Sequence, residues 1–176
     1  MAGDVLLLSD LHAHYPVVNE QIRHATGTLG REVDRVLVLG DFGMFGPNLH
    51  DHFRRDGGRF ARPVSFLEGN HEDYRNLEQL AADYADVVTH LKRGEVVDVG
   101  GRPTLCVGGA RYMDAWSTPP GCEISVRDVA RCLSNEPGTI DLVLSHDCPQ
   151  GLGVGHEPGM EHLGPPGEEG LARVAE

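Results

Sequence analysis

Apolar residues along the chain fall into short runs separated by segments of helical periodicity. Val5 to Leu8, Val36 to Leu39, Val64 to Leu67, Thr104 to Val107 and Leu142 to Leu144 are short and aliphatic, which predicts buried strands. After the first run, Pro16 opens a stretch in which Val18, Ile22, Ala25 and Leu29 share one helical face, and Gly30 supplies the stop. Leu77, Leu80, Ala81 and Tyr84 repeat at i, i+3, i+4, i+7 and predict a second helix after Asn70-His71. A third is predicted from Ser125, where Asp128 completes a capping-box pattern ahead of Val129, Ala130 and Leu133. No helical stretch separates Val87 to Leu91, Glu95 to Val99 and Thr104 to Val107, so antiparallel pairing is expected there. The sum is an α/β fold with mixed sheets and helices on the outer faces. Gln150 to Glu169 is rich in Gly, Pro and Glu and predicts a long exposed loop, followed by the opening turns of a helix over Glu168 to Glu176.

Composition narrows the class. A chain of 176 residues, 40% hydrophobic, suits one core, and a single domain over residues 1–176 is expected. The formal net charge of −12 argues against an extended nucleic-acid groove and favours a small phosphorylated partner. The first residues lack a basic segment leading into an apolar one, and no window approaches the roughly 20 apolar residues of a membrane span. A cytoplasmic protein with no membrane partner is the expectation. Cys106, Cys122, Cys132 and Cys148 are scattered with no C-x-x-C pair, which indicates neither a zinc knuckle nor a disulfide framework.

The chemistry lies just after the strands. Asp10 and His12 follow the first run, and their i, i+2 spacing at a strand end points both side chains one way. Asp41 follows the second run behind Gly40, which allows a tight turn. Gly69-Asn70-His71-Glu72 follows the third, and His146 follows the Leu142 run. Ligand crevices in open α/β sheets lie beyond the carboxyl ends of strands, so these side chains are expected to converge.

Asp10-x-His12, Gly40-Asp41, Gly69-Asn70-His71-Glu72 and Ser145-His146 resemble, in order and spacing, four of the five motifs of the calcineurin-like metallophosphoesterases. The resemblance implies a four-layer αββα sandwich with a dinuclear metal site at the strand ends, and hydrolysis of a phosphomonoester or phosphodiester by a hydroxide between the metals. It also implies roles. Asp10 and His12 would bind the first metal, Asp41 would bridge, Asn70 and His146 would bind the second, and His71 would protonate the leaving oxygen. Manganese is the expected metal, with iron, zinc or nickel compatible with the same ligands.

Two features depart from that pattern. The fifth motif, Gly-His-x-His, is absent, and Gly170 to Glu176 resembles the helix that precedes it in relatives, so the chain is expected to be truncated at its C-terminus. His156 or His162 as substitute ligand is the rival explanation. The Asp-Arg-Gly of the protein serine/threonine phosphatase branch is also missing after Gly40, which weakens phosphoprotein as a substrate. A phosphoesterase-fold binding module with an impaired metal site, and a nuclease of the same superfamily, stand as alternatives. His14 and Arg111 are candidate substrate contacts, and Asp114 and Trp116 lie on the same segment as Arg111. His50-Asp51-His52 is expected to be a solvated loop. Arg54 and Arg55, with Arg59 and Arg62, form a basic cluster that either steers a phosphate or is a hydrated surface.

Overall fold

The computed structural model describes residues 3–111, 119–152, 159 and 167–175. Strands β1 (Val5–Leu8), β2 (Arg35–Leu39), β3 (Val64–Leu67) and β4 (Val88–His90) lie side by side in that order, all parallel. Parallel neighbours need crossovers. These are supplied by α1 (Pro16–Leu29), by α2 (Gly46–Leu49) running into a π-helical stretch His50–Arg55, and by α3 (Leu77–Asp83). Helix α1 starts on Pro16 and ends at Gly30, whose left-handed backbone (φ 66°) lets its N–H close on the Thr26 carbonyl. A second sheet orders β5 (Glu95–Val99), β6 (Arg102–Val107) and β7 (Leu142–Ser145). Its β5–β6 pair is antiparallel, and β7 returns parallel to β6 after α4 (Val126–Cys132). Helix α5 spans Glu169–Ala175.

Side-chain alternation along the strands builds the layers. Val36, Val38, Val64 and Phe66 pack beneath Val18 and Ile22 of α1 and beside Leu49 and Phe53. Leu37, Leu39 and Leu67 point the other way, onto Val97, Val99, Cys106 and Leu144 of the second sheet. Leu105 and Val107 face outward again and are covered by Val129 and Cys132 of α4 and Leu171 of α5. The helix–sheet–sheet–helix order is the αββα sandwich expected.

Two local expectations are corrected. His50 to Arg55 is helical, not a solvated loop, because Leu49 and Phe53 are fully buried in the first core. Burial of such side chains stabilises by roughly 1.5–3 kcal/mol each, enough to hold a stretch whose other residues are polar. The region from Val87 to Val107 is antiparallel only at β5–β6. Strand β4 instead joins the parallel sheet beside β3, and the chain then crosses between sheets, with Leu91 buried among the residues that separate them. Among the described residues no helix is long and apolar enough to cross a membrane.

Candidate metal centre

The loops after β1 and β2 carry the centre, and both are bent into unusual backbone. Asp10 (φ 58°), His12 (φ 45°), Ala13 (φ 64°) and Asp41 (φ 52°) are all left-handed although none is glycine. Such residues cost about 1–3 kcal/mol each and persist where their surroundings enforce them. Here three hydrogen bonds lock the loops together: Asp10 N–H to Gly40 O (3.1 Å), His12 N–H to Asp41 O (2.8 Å) and Ala13 N–H to Phe42 O (3.2 Å). The side chains of Asp10 and His12 therefore converge through loop conformation rather than through strand alternation.

Asp41 is 2% exposed and lies at the middle of the group. Its Oδ1 accepts the His71 backbone N–H at 2.8 Å and lies 3.6 Å from His146 Nε2. Its Oδ2 lies 3.6 Å from His12 Nε2, which is 3.9 Å from Asp10 Oδ1. The His12 and His71 rings meet edge to face at 4.9 Å. Two glycines make the approach possible: a Cβ on Gly40 would overlap the His146 ring, and one on Gly69 would overlap the Asp41 carboxylate.

His146 fixes the chemical meaning of these distances. Its Nδ1 lies 2.9 Å from the Leu39 carbonyl, which can only accept, so Nδ1 carries a proton and Nε2 is the nitrogen turned toward the centre. There it meets Asn70 Oδ1 at 3.1 Å and Asp41 Oδ1, both acceptors. Acceptors gathered around a buried carboxylate are complementary to a cation. Two sets of ligand atoms, each within 4.8 Å of one another, overlap at Asp41: His12, Asp41 and His71, and Asp10, Asp41 and His146. The residues present thus fit a pair of divalent ions sharing one carboxylate. The grouping places His71 beside His12, where the resemblance gave it only a role toward the leaving group.

Residues that the sequence did not single out hold this arrangement. Glu72, 2% exposed, accepts the backbone N–H groups of Phe42, Gly43 and Met44 at 2.8, 3.0 and 2.5 Å, fastening the Asn70–His71 loop to the segment after Asp41. Burial pushes its carboxyl up to about 8 and the charge of Asp41 adds to the rise, against N–H donors that favour the anion. Asp147 accepts the Arg111 backbone N–H at 2.8 Å and so ties the loop after β6 to His146. Glu72 stood inside a quoted motif, but nothing in its spacing distinguishes a loop fastener from a ligand.

The other candidates separate from this cluster. His14 is exposed on the loop beside His12, where its backbone N–H donates to Leu11 O and its carbonyl accepts the Val17 N–H. Arg54 forms a two-pronged pair with Asp86 and stacks over Tyr84, while Arg55 pairs with Asp51 and Asp56. Arg62 pairs with Glu32. These pairings favour a hydrated charged surface over phosphate steering. Asp114, Trp116, His156 and His162 lie outside the described residues.

No functionally curated protein matches the chain. A solved structure described as a novel archaeal phosphodiesterase is 18% identical, with a TM-score of 0.46 over 83% of this chain and 75% of that one. The calcineurin-like phosphoesterase family matches residues 3–169, a span that takes in every residue of the centre from Asp10 to His146, and the chain belongs to that family.

Proposed function

We propose that this chain hydrolyses a small phosphate ester, a monoester or a diester, with two divalent cations held around Asp41 by Asp10, His12, Asn70 and His146. One observation carries the proposal: the buried carboxylate of Asp41 has ligand atoms of Asp10, His12 and His146 within 4.8 Å of it. Manganese is the favoured ion, and iron, zinc or nickel are compatible with the same oxygen and imidazole donors. A bound pair of cations supplies neutralisation of the phosphate and acidification of water. Asp41 could serve two ions, because its oxygens face different histidines, Oδ1 toward His146 and Oδ2 toward His12. The His146 ring is anchored by Leu39 O, so its Nε2 would need no reorientation to ligate. His71, placed by its backbone bond to Asp41, is the side chain that would donate a proton to the leaving oxygen. The acidic chain, with net charge −12, supports a compact substrate over a long polyanion.

The test is hydrolysis of p-nitrophenyl phosphate and bis-p-nitrophenyl phosphate by chelated protein and by protein reloaded with Mn²⁺. Turnover is expected only with metal, and Asp41→Asn should lower it more than about 100-fold, beyond the usual loss of an outer-shell partner. Turnover that ignores metal or survives Asp41→Asn would sink the proposal. The ratio between the two esters assigns the substrate class.

A further inference from the structure

Behind the centre stands a buried guanidinium to which the proposed chemistry gives no part. Arg93 lies between β4 and β5 with its side chain 10% exposed. Its Nε donates to Glu68 Oε1 at 2.6 Å, its Nη1 to Glu123 O at 2.7 Å, and its Nη2 to Cys122 O at 2.8 Å and to the Tyr74 hydroxyl at 3.1 Å. The Tyr74 hydroxyl donates onward to Gly69 O at 2.6 Å. A hydroxyl has one proton to give, so the relay has a fixed direction from Arg93 through Tyr74 to Gly69. Burial pushes the phenol far above its ordinary range, with Glu68 adding to the rise, so Tyr74 stays a donor.

The carbonyl it grips is well chosen. Gly69 O and the Asn70 N–H belong to one planar peptide group, so fixing that oxygen fixes the backbone from which the Asn70 side chain departs. The same loop meets Asp41 twice, through the close approach of Gly69 and through the His71 N–H bond. A small displacement of the loop therefore moves Asn70, His71 and the bridging carboxylate relative to one another. Arg93 braces it from the far side, because two of its other partners, the Cys122 and Glu123 carbonyls, sit on the segment leading into α4.

We propose that Arg93 and Tyr74 are positioning residues for the metal centre, setting Asn70 and His71 against Asp41; this rests on the metal-centre function proposed above. Tyr74→Phe removes one oxygen, and Arg93→Lys keeps a charge near Glu68 while losing the fork. Asn135→Ala serves as the comparison, deleting a 2.8 Å bond from Asn135 to Cys132 O outside the centre. The readouts are Mn²⁺ dissociation constants, from the EPR signal of the free ion, and thermal midpoints of the metal-free proteins. Tyr74→Phe should weaken Mn²⁺ binding about 10-fold, as loss of an outer partner does, and Arg93→Lys should act in the same direction. Asn135→Ala should lower the midpoint alone. A Tyr74→Phe protein with lowered midpoint and unchanged Mn²⁺ affinity overturns the positioning role and leaves the centre standing. Wild-type protein that binds no Mn²⁺ overturns both.

Discussion

Two carboxylates follow neighbouring strands, Asp41 after β2 and Glu68 after β3, and each is almost inaccessible, yet their surroundings are opposite. Glu68 has a donor for each oxygen, His90 Nε2 at 2.9 Å and Arg93 Nε at 2.6 Å. Burial opposes its ionisation, but the His90 bond and the charge of Arg93 outweigh it and hold the carboxyl below its ordinary value. Asp41 takes one backbone N–H and otherwise faces imidazole nitrogens and other oxygens. A buried charge is tolerated when something compensates it. Glu68 finds its compensation inside the fold, whereas the compensation proposed for Asp41 is a cation from outside.

Substitution should separate the two. Asp41→Asn ought to cost more than about 100-fold in Mn²⁺ affinity while changing the stability of the chelated protein by less than about 1 kcal/mol, since Asn tolerates the left-handed backbone Asp41 adopts. A large loss of stability would make Asp41 a structural group like Glu68. Glu68→Ala should act mainly on stability, costing about 3 kcal/mol in urea denaturation because a buried Arg93 loses its counter-charge, with at most the roughly 10-fold loss of Mn²⁺ affinity expected when the Arg93 brace slackens. A cost near zero would mean that the carbonyls around Arg93 suffice and that the contrast between the carboxylates is illusory. Glu72 sits between these extremes. Glu72→Gln offers one acceptor oxygen to three backbone donors, and a loss of about 2 kcal/mol is expected, together with weaker Mn²⁺ binding as the loop after Asp41 loosens.

How much of this was legible in the sequence follows from the range of each interaction. Strands β2 and β3 and helix α1 were visible because short aliphatic runs, Pro16 and Gly30 are local signals that agree with the fold. Asp10, His12, Asp41, Asn70, His71 and His146 were visible because ligand types recur at strand ends. The left-handed loops that aim Asp10 and His12 were not, since non-glycine residues carry no mark of positive φ. The helix over His50–Arg55 was hidden by polar residues around a single anchor, Phe53. Arg93 and Tyr74 escaped for another reason. Arg93 reaches partners 19 to 35 residues away, and no periodicity records a hydrogen bond of that span.

The smallest effect tests how far the Glu68 side of the comparison extends. Asp128 closes the capping box of α4, accepting Ser125 N–H at 3.0 Å and Ser125 Oγ at 2.6 Å, and it lies 3.5 Å from Arg93 Nη1. Burial opposes its ionisation, but the Ser125 bonds and the charge of Arg93 outweigh it, so the carboxyl sits below its ordinary 3.8. A carboxylate depressed in the folded state contributes stability that is present above its unfolded value and lost as pH falls through the folded one. Asp128→Asn should therefore cost about 1 kcal/mol at neutral pH, the usual worth of a cap, and the two proteins should converge as pH drops below 3.8. Urea midpoints measured down that range check it. A constant gap at every pH would show that Asp128 acts on α4 by shape alone, and that the charge network centred on Arg93 stops at Glu68.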